Sequence, residues 1–291
     1  MAGVGIGTVS RAINNSPQIN AQTKMHVLQI IKELNYQPHA LAQSLARKKT
    51  FTIASVVPFF TNYFFVELLK NVQRTLTLNN FDLILYSVDR MDRMPFVLDR
   101  VLSERRSDGV LLISVSIDEE YARRFVDTPV PVVIVDNRYD GLDSITIANQ
   151  NAAMTATEHL IKLGHRRIGM VNCHLSSFPA VERLKGFKSA LATHNLPFHD
   201  ELLITCDSTE GEHGFNERAA YSAMKRFLAG QVEIPGALFV ASDVQALGVM
   251  RAAKESGLHI PQDLALVGFD DIEFAKFVGL TTMHQPIPEM G

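Results

Sequence analysis

From residue 51 onward the chain alternates short, nearly continuous apolar runs with amphipathic stretches. Residues 52–58, 82–87, 109–114 and 130–136 have strand length, and Val, Ile and Leu at successive positions leave neither side of these runs polar. Strands apolar on both sides belong to a parallel sheet covered by helices on each face. Apolar positions at helical spacing fill the intervals near residues 63–79, 92–106 and 118–127. The alternation restarts after Ile145-Thr146-Ile147, with helices near 150–163, 180–194, 214–229 and 243–257 leading into runs at 167–171, 202–206, 237–241 and 264–268. The expected fold is α/β: two parallel-sheet subdomains in tandem, with a ligand crevice at the carboxyl ends of their strands.

Ahead of this body, Thr8, Val9, Ala12 and Ile13 make a short apolar stripe while Ser10 and Arg11 fall toward the other side. That predicts an amphipathic helix, stopped by Asn14, Asn15, Ser16 and Pro17. A second helix is expected from Asn20, a good N-cap, with Val27, Ile30, Ile31 and Leu34 on one face and an end near Asn35. Two short helices suit a groove-reading head or a structural cap equally well. Charge separates the two readings. Residues 1–50 carry Arg11, Lys24, Lys32, Arg47, Lys48 and Lys49 against Glu33, a net +5 in a chain of net −3, so the remainder holds −8. A basic end on an acidic body is the asymmetry of a protein that places one end on phosphates.

The 291 residues, 46% of them hydrophobic, suffice for two or three compact units. No apolar run reaches bilayer length and no export signal opens the chain, so a cytoplasmic location and no membrane association are expected. Cys173 and Cys206 lack ligand-spaced neighbours, and none of the ten histidines, His165 included, sits in a metal-binding pattern. Gly3-Val4-Gly5-Ile6-Gly7 follows no strand and does not complete a dinucleotide fingerprint. Neither a cofactor nor catalytic activity is expected. Candidates for a crevice are polar groups at strand ends: Asp136, Ser242, Asp243 and Asp270, with Arg183 on the helix that also carries Lys185 and Phe187. Carboxylates and a guanidinium converging from two subdomains can share the hydroxyls of a sugar.

The strings AGVGIGTVSRAINNSP and LNYQPHALAQSLARKKTFTIASVVP resemble the LacI/GalR (lactose-repressor/galactose-repressor) family of bacterial transcription regulators. The likeness continues through Asp108-Gly109-Val110, HLIKLGHRRIGM, Glu182-Arg183-Leu184-Lys185-Gly186-Phe187, Ala246-Leu247-Gly248 and Ile260-Pro261-Gln262-Asp263 leading into Val267-Gly268-Phe269-Asp270-Asp271. The resemblance implies a helix-turn-helix head joined to a periplasmic-binding-protein-like body. It divides the chain into a partial head at 1–37, a hinge helix and linker at 38–50, effector-binding subdomains at 51–148 and 149–277, and a crossover back to the first subdomain at 278–291. It also implies a homodimeric repressor that binds a pseudo-palindromic operator and a sugar, phosphosugar or purine effector.

Carried onto this chain, the recognition helix covers residues 5–14, with Ile6, Gly7 and Arg11 as base readers, Thr8 and Ser10 as phosphate donors, and Asn14 on the same DNA-binding surface. Arg11 is the strongest reader, since guanidinium pairs with guanine O6 and N7, although a solvated helix-end charge is its alternative. Leu45 would wedge into the minor groove, or else pack the linker onto the body. Effector contacts fall on Phe64, Phe65, Asp136, Arg183, Ser242 and Asp270, with core packing as the competing role of Phe65. Four departures stand out. The family head has another helix ahead of Met1, the family body has further elements beyond Gly291, Gly5 replaces the usual serine cap, and Ala148 replaces a common aspartate. The alternatives are a sugar-binding protein without DNA-binding activity and a sugar-modifying enzyme.

Overall fold

A computed structural model describes residues 2–35, 49–88, 90–104, 106–206, 214–230 and 233–291. Two compact units emerge, residues 1–50 and 51–291. In the first, α1 (Ile6–Ile13) packs on α2 (Ala21–Glu33), and Ala12 and Val27 are their buried residues. Gly5 caps α1 without a side-chain bond, whereas Asn20 Oδ1 accepts the Thr23 N–H at 2.7 Å. α1 stops at Asn14 because Asn15 turns left-handed, a conformation Asn tolerates better than most residues. Leu34 does not share the packed face of α2: the helix ends at Glu33, leaving Leu34 half exposed at its C-cap. Leu45 and the expected hinge helix at 38–46 lie outside the described residues.

The second unit holds two five-stranded parallel sheets. The first subdomain runs β1 (Thr52–Pro58), α3 (Tyr63–Leu78), β2 (Asp82–Val88), α4 (Met94–Glu104), β3 (Gly109–Ile113), α5 (Glu119–Val126), β4 (Val132–Val135) and β5 (Asp143–Ile145). Its strand order is β2-β1-β3-β4-β5. The second subdomain continues with α6 (Asn149–Lys162), β6 (Ile168–Cys173), α7 (Phe178–Thr193), β7 (Leu203–Cys206), α8 (Glu217–Ala229), β8 (Ala237–Val240), α9 (Asp243–Glu255), β9 (Ala265–Asp270), α10 (Glu273–Val278) and β10 (Thr281–His284). Its order is β10-β9-β8-β6-β7.

Each sheet carries apolar clusters on both faces, which is why its strands read as continuous hydrophobic runs. β5 differs: it is an exposed edge strand at 143–145. The chain's return is also narrower than the sequence suggested. β10 still pairs with β9, and only the next turn, α11 (Ile287–Met290), lies against α3, where Ile287 and Met290 join Val57, Phe65, Leu68 and Ile113 in one cluster. The helix at 273–278 has no clear apolar period and went unread in the sequence; Gly279, at φ +68°, ends it in the left-handed conformation glycine adopts freely.

Candidate functional site

In the head, helical spacing puts Ile6, Gly7, Ser10, Arg11 and Asn14 on one solvent-facing side of α1, with Ala12 turned inward and Thr8, Val9 and Ile13 half buried. Ile6 is 90% exposed. An isoleucine so placed gains nothing from the head's own packing, which makes this side available to a partner. Asn14 Nδ2 donates to Ser10 Oγ at 3.3 Å, bracing the two polar positions.

A recess of about 650 Å3, including its open mouth, lies where the strands of both sheets of the body end. Phe64, Phe65, Asp136, Arg183, Ser242 and Asp270 all line it. Arg183 projects from α7 and is 3% exposed. Its Nε donates to Asn149 Oδ1 at 2.9 Å, one terminal nitrogen donates to the Ala241 carbonyl and stands 3.7 Å from Asp270 Oδ1, and its plane covers the Phe269 ring at 3.8 Å. Asp270 ends β9 at φ +125° and accepts from Gln285 Nε2 at 2.6 Å. Asp136 follows β4 in the left-handed region, where Ser114 Oγ donates to its Oδ2 at 2.7 Å. Its second oxygen, Oδ1, is buried with no hydrogen-bond partner among the described residues. A buried acceptor left open toward a recess is what an incoming O–H or N–H donor would satisfy.

The aromatic pair comes from the first turn of α3. Asn62 caps that turn, its Oδ1 accepting the Phe64 N–H at 3.1 Å, and the Phe64 and Phe65 rings meet edge to face at 5.3 Å. Phe65 serves two surroundings at once, the recess and the apolar cluster behind it. Ser242 is engaged as the N-cap of α9, accepting the Gln245 N–H at 3.2 Å. Asp243 is not in the recess: its oxygens accept Thr282 Oγ1 at 2.6 Å and the Ile272 N–H at 3.1 Å, tying α9 to β10 and to the start of α10.

Asn62, Ser114, Ser177, Phe215 and Gln285 are among the lining groups that the sequence does not single out. Ser114 follows β3 and Gln285 follows β10, so the strand-end criterion that selected Asp136 would have selected both. Phe215 carries no such signal; its backbone carbonyl accepts Asn62 Nδ2 at 2.9 Å across the recess, and its ring lies 5.8 Å from the Arg183 guanidinium. Among the described residues no cluster of His, Cys, Asp and Glu is built to hold a metal, and no helix is long and apolar enough to cross a membrane.

Burial pushes the Asp136 carboxyl up from 3.8 to about 6, against the pull of Arg183 and Ser114. Asp270 is pushed up to about 8, first by burial and then by the charges of Asp243 and Asp136, with Arg183 and Gln285 opposing. Both folded-state values lie above the unfolded ones, so the folded chain holds more protons in this window and stability falls as pH rises from about 4 through about 8. The Asp136 part is worth up to about 3 kcal/mol. Thermal melts between pH 5 and 8.5 at constant ionic strength are expected to show a declining midpoint, with a shallower decline in Asp136→Asn. Equal slopes in the two proteins would refute the assignment.

The comparisons with known proteins meet this geometry at both ends. Residues 1–39 match the model of bacterial regulatory proteins of the lacI family, and residues 157–291 match a periplasmic binding protein-like domain. The chain is 32% identical, over its whole length and 86% of the relative's, to catabolite control protein A of Priestia megaterium. It belongs to the lacI family. Another lacI-family relative is the ribose operon repressor of Escherichia coli (strain K12), 34% identical over the whole of this chain and 87% of that protein. The lac repressor dimer bound to operator and the anti-inducer ONPF superposes with a TM-score of 0.84 at 27% identity, covering 99% of this chain and 86% of that one.

Proposed function

We propose that this lacI-family protein is an effector-responsive transcription regulator, a repressor that binds a pseudo-palindromic operator as a homodimer. The observation that carries the reading is one chain joining a basic two-helix head, with an exposed Ile6-to-Asn14 face, to a recess where Arg183, Asp136 and Asp270 converge from two subdomains. A dimer is needed because one short helix covers too few base pairs to discriminate a site, and two-fold symmetry doubles the read length. The effector would act by binding one inter-subdomain arrangement better than another and so shifting operator affinity. Such a protein works in the cytoplasm, binding its effector without turning it over.

The effector best suited to the recess is an uncharged sugar. Among the described lining residues Arg183 is the one cation, and Asp270 and Asp136 already balance it. A phosphate would enter a site with no surplus positive charge, whereas a sugar can donate a hydroxyl to Asp136 Oδ1 and stack the C–H face of its ring on Phe64 and Phe215. Selection of bound sequences from a randomised DNA pool, repeated with sugars, sugar phosphates and purines present, tests both halves. The expected result is a two-fold symmetric consensus released or tightened by a neutral sugar. Arg11→Ala should lose about 1–3 kcal/mol of discrimination at one base pair per half-site. An unchanged consensus would remove Arg11 as a reader, and no consensus at all would leave a sugar-binding protein without DNA-binding activity.

A further inference from the structure

We propose that Asn62 is the positioning residue that ties closure of the cleft to the placement of Phe64 and Phe65. The two ends of its side-chain amide do different work. Oδ1 accepts the Phe64 N–H at 3.1 Å and starts α3, which holds the two rings in the recess. Nδ2 donates at 2.9 Å to the carbonyl of Phe215, a residue of the other subdomain 153 positions away in sequence.

Phe215 is itself held. The carbonyl of the preceding Gly214 accepts Gln245 Nε2 at 3.0 Å, and the Phe215 ring sits over Arg183. One planar amide therefore links the aromatic turn of the first subdomain to the wall of the second that carries the guanidinium. Moving the subdomains apart breaks the Nδ2 bond or pulls on the cap that orients Phe64. The neighbouring residue adds a second contact at the same rim, since the Tyr63 and Phe274 rings lie 4.8 Å apart edge to face. Asparagine is the residue this device needs. Serine and aspartate also cap helices, but aspartate has no donor and serine is too short to span the cleft.

That closure answers to an effector rests on the function proposed above; the clasp itself does not. The test is therefore made on the full-length, ligand-free protein. Spin labels are placed at Thr77→Cys and Thr193→Cys, both exposed and one in each subdomain, while Cys173 and Cys206 are buried. Pulsed-dipolar distance distributions are recorded for Asn62, Asn62→Ser and Asn62→Asp proteins, and hydrogen exchange is followed along α3. Losing one part-buried hydrogen bond is expected to raise the open-to-closed ratio on the order of fivefold in both variants. Exchange protection of α3 should stay unchanged, because both variants keep the cap.

Distributions that superpose on the parent protein would overturn the proposal. So would a shift accompanied by loosening of α3, which would make Asn62 a helix cap and nothing more. If no sugar or purine affected the protein, the effector reading would fall while this measurement stood.

Discussion

Arg183→Ala is expected to destabilise the folded body by about 3–5 kcal/mol, the range for removing one partner of a buried ion pair. The guanidinium is 3% exposed, and it leaves behind the Asn149 side-chain oxygen, the Ala241 carbonyl and the Asp270 carboxylate in a dry setting. Against the ~5–15 kcal/mol that holds typical domains together, that loss is a large share. The cost is also pH-dependent, with a definite sign. Asp270 and Asp136 lose their neighbouring cation, so their affinity for a proton rises further and protonation relieves the uncompensated charge. Urea unfolding should accordingly show a larger deficit relative to the parent protein at pH 8 than at pH 5.5. A deficit below about 1 kcal/mol, in the range of a surface ion pair, would contradict the buried bracket of Asn149, Ala241 and Asp270 around Arg183. The same contacts mean that Arg183→Ala alters fold and effector response together. Asp136→Asn, which keeps the shape of the side chain, is the cleaner probe of ligand recognition.

Gly186→Ala is expected to destabilise by about 2 kcal/mol or more, although it places a better helix former inside a helix. On propensity alone the change would stabilise α7 by about 1 kcal/mol. Packing reverses the sign. A β-carbon at position 186 would overlap the Gln150 carbonyl oxygen and sit 2.9 Å from the Ala153 β-carbon, so α6 and α7 would have to separate along their contact. Because Arg183 lies on the same helix one turn earlier, that separation also moves the guanidinium against Asn149. Gly7→Ala serves as the internal contrast. There the new β-carbon would meet only the far end of the Arg11 side chain at 3.6 Å, and the head should become more stable. Chemical denaturation of the two variants decides the matter, and a stabilised Gly186→Ala would show that the helix contact is looser than the backbone positions indicate.

Much of the architecture was legible from local pattern. Runs such as residues 52–58 and 109–114 lie within a few residues of observed strands, because a strand buried on both faces needs apolar side chains at every position, a requirement met within the run itself. Asn20 and the Asn14 stop were likewise readable, since capping is settled between residues three or four apart. Leu34 is the exception, because apolar character does not say which way an end residue points once its helix runs out.

The candidate site divides along the same line. Asp136 and Asp270 could be selected as strand-end groups and Arg183 through its motif, although the helix starts at Phe178 and Arg183 sits in its second turn rather than opening it. Nothing local distinguished Asp243, which brackets α9 to β10, from Ser242 beside it, which faces the recess.

The layering, the basic head and the charged residues able to meet in a crevice follow from periodicity, capping and composition, which act over a few positions. Which of those groups face the recess, how far burial raises the proton affinity of Asp136 and Asp270, and the reach of Asn62 to Phe215 emerge only once the chain is folded. Each of those facts is a sum over neighbours supplied by distant parts of the chain, and desolvation and hydrogen bonding respond to that sum rather than to any stretch of sequence.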